Sequence, residues 1–331
     1  MALILDRYPI DFRSEIVHPI MAEIQHSGSV SIVGLAGAGK SNLVHFMGQP
    51  EVLAHYLPHS EATRTHVLSV QCRPGTQPKE ELFGKMLSAL LQAFELAPET
   101  PLAESTFNQL RSTLASLCGR RGQRLVFVFD EFESLISAQG ADFFEDLREL
   151  RDEHRTSGNL LYVVITHRMP QRIPGSPSFE ESKFFEILRN NIFPLGPYRK
   201  VDARGMLHVL LQRQGVQAIS PAASDRLIAF SGGHAGLLRA VVEELSPNFE
   251  RSAPRLLTLV SESQRIRHAG EHIWTHLHIQ EQRALSSLVF GQAIPPAMQQ
   301  FLFKRGLLDE ADSSSLSSLL LREYILKYRT G

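Results

Sequence analysis

Five short runs of consecutive apolar residues recur along the first two thirds of the chain, and stretches with helical spacing separate them. The runs begin near residues 29, 66, 125, 160 and 191. Apolar side chains that recur at every third or fourth position predict helices, and such signals cover residues 40–47, 78–96, 105–118 and 141–155. Fully apolar strands that alternate with helices predict a parallel sheet covered on both faces, and therefore an α/β fold.

Beyond residue 195 the pattern changes from strands to helices. The helices predicted here lie within residues 200–267, 279–290 and 297–305. A serine-rich turn and a final apolar stretch follow them. For 331 residues, a prior of ~150 residues per domain allows two domains or three small ones. We expect a core over residues 1–195, a helical region over 196–267 and a C-terminal domain over 268–331.

One motif lies directly between the first apolar run and the helix predicted after it. It satisfies G-x-x-x-x-G-K-[ST] and consists of Gly34, Leu35, Ala36, Gly37, Ala38, Gly39, Lys40 and Ser41. The glycines let backbone N–H groups converge on phosphate oxygens, and the helix adds its positive N-terminal end. Lys40 is placed to reach the β- and γ-phosphates, and the Ser41 hydroxyl to bind Mg²⁺. We expect a nucleotide site that includes Asn42; a glycine-rich turn without a ligand is the alternative.

Two acids follow the third apolar run, at the end of a strand where α/β sheets bind ligands. Asp130 is suited to hold Mg²⁺ through water, and Glu131 to polarise the water that attacks the γ-phosphate. The alternative is that both acids merely start the next helix, where carboxylates favour the helix dipole. Thr166 ends the fourth run and is a candidate γ-phosphate sensor. His167, Arg168 and an ordinary strand-terminal threonine are the alternatives there.

Together these residues resemble the ATPases of the AAA+ and STAND groups, most of all single-chain bacterial and archaeal ATPases with a C-terminal winged helix. The origin-recognition ATPases are more distant relatives. The resemblance implies a P-loop NTPase fold with ATP and Mg²⁺ as cofactors. It also implies a strand inserted between the phosphate-loop strand and the acidic strand, a helical lid, and a winged-helix-like C-terminal domain.

The resemblance extends to further segments. Residues 12–15 resemble an Arg-x-x-Glu stretch whose neighbourhood cups the base, so Tyr8 and Ile10 are expected in a base pocket, with ordinary packing as the alternative. Residues 231–240 resemble the Gly-Gly-x-Pro motif of STAND lids, although Ala235 stands in place of the proline. Arg239 occupies the place of a second sensor arginine; a surface arginine is the alternative.

An arginine finger is also implied by the resemblance, because such a residue often precedes the fifth strand. Arg189 lies at this position, and Arg199 and Arg204 compete with it. Among the histidines, His272 and His276 have a spacing that zinc sites use, but no glutamate separates them as His-Glu-x-x-His requires. Packed or solvent-facing histidines are therefore the favoured interpretation.

The charge of the chain argues against binding to nucleic acid through its overall field. Lys and Arg number 34 against 35 Asp and Glu. Residues 271–331 hold six basic and six acidic residues, so little charge is available to neutralise phosphates. Partner binding or autoinhibition is therefore favoured over duplex DNA for the C-terminal domain.

We expect a cytoplasmic protein without a membrane span. The chain has only two cysteines, which favours a reduced compartment, and no apolar run reaches ~18 residues. Its first residues lack the basic lead of a secretion signal.

The first functional hypothesis is an ATP-hydrolysing molecular switch of the AAA+/STAND type. Mg-ATP turnover would move the lid and the winged-helix-like domain and so control a protein partner or effector on another chain. Nucleotide-dependent homo-oligomers are compatible with this hypothesis. The alternative is a DNA-binding ATPase that resembles origin-recognition or transposition-associated loaders, and a third hypothesis is a nucleotide-binding scaffold with negligible hydrolysis.

Overall fold

A computed structural model describes residues 8–72, 79–97, 105–173, 182–246, 258 and 262–329. The chain divides into two compact units. The sheet unit consists of residues 14–33 and 41–193, and the helical unit consists of residues 1–13, 34–40 and 194–331 wherever these are described. The expected three-part division at residues 195 and 267 stays a prediction.

Five strands form one sheet in the order β2-β3-β4-β1-β5. They are β1 (Val30–Gly34), β2 (Thr65–Gln71), β3 (Arg124–Asp130), β4 (Leu160–Thr166) and β5 (Ile192–Leu195). The pairs β1–β4, β3–β4 and β2–β3 are parallel. Every residue of β3 and β4 is buried, which confirms the predicted sheet with two covered faces. Strand β4 lies between the strand that precedes the glycine-rich motif and the strand that ends in Asp130, as the resemblance implied.

The helices around these strands were predicted where the apolar period is regular. They are α1 (Ser14–Gln25), α2 (Lys40–Met47), α3 (Pro50–Tyr56), α4 (His59–Ala62), α5 (Lys79–Ala93), α6 (Thr106–Leu114), α7 (Glu133–Ala138), α8 (Ala141–Glu153) and α9 (Lys183–Glu186). Helix α1 was not predicted, and it contains Pro19, which removes one backbone donor. Burial of Val17, Ile20, Met21 and Ile24 along one face stabilises it nevertheless.

An aromatic cluster fills the sheet unit beneath the end of β3. Phe129 packs against Phe132 and Tyr162, and these rings are fully buried. The Tyr162 hydroxyl donates to the carbonyl of Leu147 at 2.7 Å, which satisfies its buried polar atom. Phe132 donates its backbone N–H to the carbonyl of Ile165 at 2.9 Å. This packing fixes the chain on both sides of Glu131.

The helical unit holds the predicted C-terminal helices. Its helices are α10 (Lys200–Arg213), α11 (Pro221–Ser231), α12 (Ala235–Leu245), α13 (Gln264–His276), α14 (Ile279–Val289), α15 (Pro296–Lys304) and α16 (Leu319–Tyr328). Leu308 and Leu316 form an antiparallel bridge around the serine-rich turn. Helices followed by a short antiparallel pair and a last helix are consistent with the winged-helix-like segment that the resemblance implied. Among the described residues, no helix has the length and apolarity to cross a bilayer.

A buried ion pair holds α14 and α15 together. Glu281 is 1% exposed and Arg305 is 6% exposed, and the Arg305 guanidinium donates to the Glu281 carboxylate. Glu281 also accepts the backbone N–H of His278 at 2.7 Å and so caps α14. Removing one partner of such a pair leaves an uncompensated buried charge.

We expect Arg305→Met to lower the free energy of unfolding by about 3 kcal/mol, measured by urea denaturation. The control is Lys200→Met, which removes the exposed Lys200–Asp225 pair and should change it by less than about 1 kcal/mol. Equal effects of the two substitutions would contradict this account of the buried pair.

Candidate functional site

The glycine-rich motif forms a tight loop between β1 and α2. Gly37 (φ +74°) and Gly39 (φ +88°) have left-handed backbone conformations that other residues rarely adopt. A Cβ on Gly39 would lie 2.5 Å from the Tyr198 hydroxyl oxygen, and one on Gly37 would lie 3.1 Å from Cε1 of His234. The loop therefore needs glycine at both positions, for backbone conformation and for space.

Lys40 turns its side chain back into this loop. Its ammonium donates to the carbonyls of Gly34 and Leu35 at 3.1 and 2.9 Å, and the residue is buried. A fixed positive charge beside a glycine-rich backbone suits a phosphate group. The loop thus has the form that the sequence predicts for residues 34–40, and Leu35, Ala36 and Ala38 are buried within it.

The two residues predicted to hold the metal meet in the sheet unit. Ser41 Oγ donates to Asp130 Oδ2 at 2.9 Å, and Asp130 is 7% exposed. Asp130 Oδ1 accepts the backbone N–H of Glu131 at 3.0 Å, which orients the carboxylate. A hydroxyl and a carboxylate are hard oxygen donors, so this pair fits Mg²⁺. Asn42 follows in the first turn of α2 and is half-buried.

Glu131 has a left-handed backbone, with φ +58°. A non-glycine residue in this region costs about 1 kcal/mol or more, and such strain concentrates at functional sites. Helix α7 begins only at Glu133, so Asp130 and Glu131 precede the helix and do not form its first turn. The sequence carries no signal of this strained turn.

Thr166 ends β4 and is fully buried, and its hydroxyl donates to the carbonyl of Arg168 at 2.7 Å. His167, one of its alternatives, hydrogen-bonds through its ring and its backbone N–H to the carboxylate of Glu133. Burial alone would raise the pKa of Glu133, but these bonds from His167 hold the pKa below its ordinary value. The sensor role of Thr166 stays a prediction.

Arg13 belongs to the segment that resembles an Arg-x-x-Glu stretch, but the sequence assigned no role to its side chain. Its side chain is 1% exposed, and Nη1 donates to the carbonyl of Ala38 at 3.2 Å. Nη2 donates to the carbonyls of Gly196 and Pro197, and the guanidinium lies over the Tyr198 ring at 4.8 Å. Arg13 therefore ties the loop to the chain that leads into α10. No local pattern around Arg13 indicates that its side chain is buried.

Tyr8 and Ile10 were predicted to contact a base. The Tyr8 ring stacks on Phe12 at 4.1 Å, and its hydroxyl donates to the Met206 sulfur at 3.5 Å. Burial raises the pKa of Tyr8, and Tyr198 adds to this effect. Ile10 is half-buried. Whether either residue contacts a base stays a prediction.

Within the helical unit, the first turn of α12 contacts the glycine-rich loop, and the Gly-Gly segment before it contacts Tyr198. Gly236 donates its N–H to the carbonyl of Gly37 at 2.9 Å, and Tyr198 donates its N–H to the carbonyl of Gly233 at 2.9 Å. Arg239 lies on the exposed side of α12, and its charge lowers the pKa of Tyr8 against the larger effect of burial. The proposed second-sensor role of Arg239 is not tested by this geometry.

Of the arginine-finger candidates, Arg189 is exposed, whereas Arg199 and Arg204 form ion pairs with Asp202 and Asp225. The described residues hold no cluster of three His, Cys, Asp or Glu side chains arranged for a metal. In particular, His278 caps α14, and the ring of His276 bonds the carbonyl of His272.

A family model described as an AAA domain matches residues 22–170. A Walker-type ATPase of Pyrococcus abyssi is similar in structure, with 15% identity and a TM-score of 0.58 over 98% of this chain and 99% of that chain. The Aeropyrum pernix ORC2 protein in ADPNP–ADP complexes has 16% identity and a TM-score of 0.50 over 94% of this chain and 90% of that chain. Its ADP form has 15% identity and a TM-score of 0.52 over 89% and 79%. None of the curated proteins compared with this chain matches it.

At such low identity these structures show a shared fold, whereas the family match covers strands β1 to β4, the glycine-rich loop, Asp130 and Glu131. The match agrees with the inserted position of β4 and with the contact between Ser41 and Asp130. The chain therefore carries an AAA+ P-loop ATPase domain over residues 22–170.

Proposed function

We propose that this protein is an ATP-binding and ATP-hydrolysing molecular switch that couples Mg-ATP turnover to movement of residues 196–267 and 268–331, and so to engagement of a partner. The observation that carries the proposal is the 2.9 Å hydrogen bond between Ser41 and Asp130, directly after the Lys40 loop. A hydroxyl and a carboxylate 89 positions apart in the sequence are in contact, and both are oxygen donors of the kind that Mg²⁺ prefers. The ADPNP and ADP in the similar Aeropyrum pernix structure support the choice of nucleotide.

Each residue of the candidate site has its own role in the proposed hydrolysis of ATP. The Lys40 ammonium and the loop N–H groups neutralise and orient the phosphates. Ser41 and Asp130 would hold Mg²⁺, which supplies charge neutralisation on the phosphate oxygens when bound. The Glu131 carboxylate orients the attacking water and accepts its proton.

A route from the phosphate loop to the helical region exists within the helical unit. The carbonyl of Gly37 accepts from Gly236, and the carbonyl of Ala38 accepts from Arg13, which also holds Gly196 and Pro197. A loop that changes shape with the γ-phosphate would alter these bonds and shift the population of helical-region states. We expect these states to differ in how tightly they bind a protein partner or a second copy of this chain.

The test is binding and hydrolysis of Mg-ATP by the full chain. We expect tight nucleotide binding and slow release of phosphate. Absence of nucleotide binding would overturn the proposal. Size measurement with ADP and with a slowly hydrolysed ATP analogue shows whether the nucleotide controls assembly.

Asp130→Asn is expected to weaken the binding of Mg²⁺. The amide keeps the size of the side chain but removes the negative charge that attracts the cation. We expect the Mg²⁺ concentration for half-maximal phosphate release to rise by about tenfold or more, measured by titration of the metal at saturating ATP. Asp142→Asn, at an exposed position on α8, is the control and should leave the titration unchanged.

A DNA-binding ATPase is the second candidate, raised by the fold likeness to the ORC2 protein. The charge balance of residues 271–331 weighs against it. Gel shifts with duplex DNA and Mg-ATP at 50 and 200 mM salt separate the two. Binding that requires ATP and falls steeply with salt would favour the DNA-binding candidate.

A further inference from the structure

One surface segment of the helical unit carries no charge. Residues 284–303 contain no Asp, Glu, Lys, Arg or His, although 20 residues at the chain's 21% of charged residues would hold about four. The segment consists of the second half of α14, the turn after it and α15 up to Phe303. Only Ala284, Leu285 and Leu302 are buried, so 17 of its residues lie at least partly on the surface. We call residues 284–303 the uncharged segment.

Two phenylalanine rings of the uncharged segment are exposed to solvent. Phe290 directly follows α14 and is 51% exposed, and Phe303 lies in the last turn of α15 and is 43% exposed. Every other phenylalanine that the structure describes is buried or half-buried. Leu302, next to Phe303, is fully buried, so α15 has its core contact without Phe303. An apolar surface that presents large side chains to solvent is typical of an interaction site.

The uncharged segment is held in one conformation. Gly291 has φ +72° and ends α14, and Pro295 and Pro296 begin α15. The side-chain amide of Gln299 donates to the carbonyl and the hydroxyl of Ser313 at 3.1 and 2.8 Å, which ties α15 to the serine-rich turn. A surface that is already ordered loses little conformational entropy when it binds a partner.

The composition of this surface selects the kind of partner. Duplex DNA is held through several cations, and α15 carries only Lys304. A helix that lies on a membrane surface has Lys and Arg along its polar face, and the uncharged segment has none. The core of an interface between proteins is depleted of charge and enriched in Phe and Met, which matches Phe290, Met298 and Phe303.

A second copy of the same chain fits this surface. In a symmetric dimer the same surface of both copies is in contact, so a charge close to the two-fold axis would lie near an equal charge. The uncharged segment avoids this repulsion. Its borders carry exposed charges of both signs, Arg283 and Lys304 against Glu310 and Asp312, which allow attraction between the two copies. Its 17 surface residues approach the ~20–30 residues that each side of a standard interface contributes.

We propose that residues 284–303 form the contact through which two copies of this chain bind each other about a two-fold axis. The proposal deepens the proposed function by naming a surface for the second copy. It depends on the composition and exposure of the uncharged segment and requires no nucleotide.

Sedimentation velocity of the full chain without nucleotide, from about 1 to about 100 μM, tests the proposal. We expect a dimer with a Kd in the micromolar range or tighter, as interfaces of standard size have. Phe303→Asp should raise this Kd by at least about 100-fold, because it removes apolar contact and adds a charge to both copies. Phe290→Asp is the second variant. The control is Val201→Asp on α10, where a 62% exposed apolar side chain lies outside the uncharged segment.

The midpoint of thermal unfolding shows whether each variant folds, and amide hydrogen exchange below and above the Kd locates the contact. We expect protection on dimer formation to concentrate in residues 284–303. A wild type that is monomeric up to about 100 μM would overturn the proposal. Protection confined to other residues, or folded Phe290→Asp and Phe303→Asp variants that dimerise like the wild type, would overturn it as well.

A separate titration with Mg-ATP distinguishes this proposal from the proposed function. A wild type that dimerises through residues 284–303 but binds no nucleotide would overturn the proposed function and leave the dimer contact in place. A wild type that binds and hydrolyses ATP as a monomer, with and without the nucleotide, would overturn the dimer contact alone.

Discussion

Glu131→Gln is expected to bind Mg-ATP as tightly as the wild type and to release phosphate about 10²–10⁴-fold more slowly. The amide keeps the size of the side chain but cannot accept a proton from the attacking water. Glutamine and glutamate have similar costs in the left-handed region, so the turn after β3 should persist. Single-turnover release of γ-phosphate and a separate binding titration measure the two steps.

The control is Glu145→Gln, at an exposed position on α8, which should hydrolyse ATP like the wild type. If the wild type and Glu131→Gln both bind ATP tightly and release phosphate only at the background rate, the protein is a nucleotide-binding scaffold with negligible hydrolysis. Glu131→Gly is a complementary variant, because glycine relieves the backbone strain. We expect it to be inactive and at least as stable as the wild type.

Lys40→Met is expected to raise the Kd of ATP by about 100-fold or more, which corresponds to about 2.7 kcal/mol of binding free energy. Methionine keeps most of the buried stem but removes the charge that faces the phosphates. The Gly34 and Leu35 carbonyls lose the hydrogen bonds that they accept from the ammonium, so the loop of the variant should also be less rigid. Titration with a fluorescent ATP analogue gives the affinity.

Lys183→Met removes an exposed lysine from α9 and serves as the control for lost charge. It should bind ATP like the wild type. If Lys40→Met also binds like the wild type, the loop does not hold the phosphates through Lys40, and the proposed function loses its basis. A loss of binding with a native far-ultraviolet spectrum supports the assignment.

Much of the fold was predictable because its signals are local. All five strands lie within a residue or two of their predicted starts, and the loop glycines have the conformations that their spacing demands. Helix α1 was missed because Pro19 argues against a helix locally, whereas burial of its apolar face decides the outcome. The left-handed backbone of Glu131 was missed for the same reason. It depends on the burial of the neighbouring Phe132, and no local pattern indicates it.

The sequence by itself determined the strands of the sheet and the glycine-rich loop, and it indicated Ser41 and Asp130 as candidate metal ligands. These follow from periodicity and from short spacings, which act over a few residues. Only the tertiary structure decided that Arg13 holds Ala38 and Gly196, and that His234 lies against Gly37. Such contacts join residues far apart in the chain, and their geometry depends on how whole helices pack.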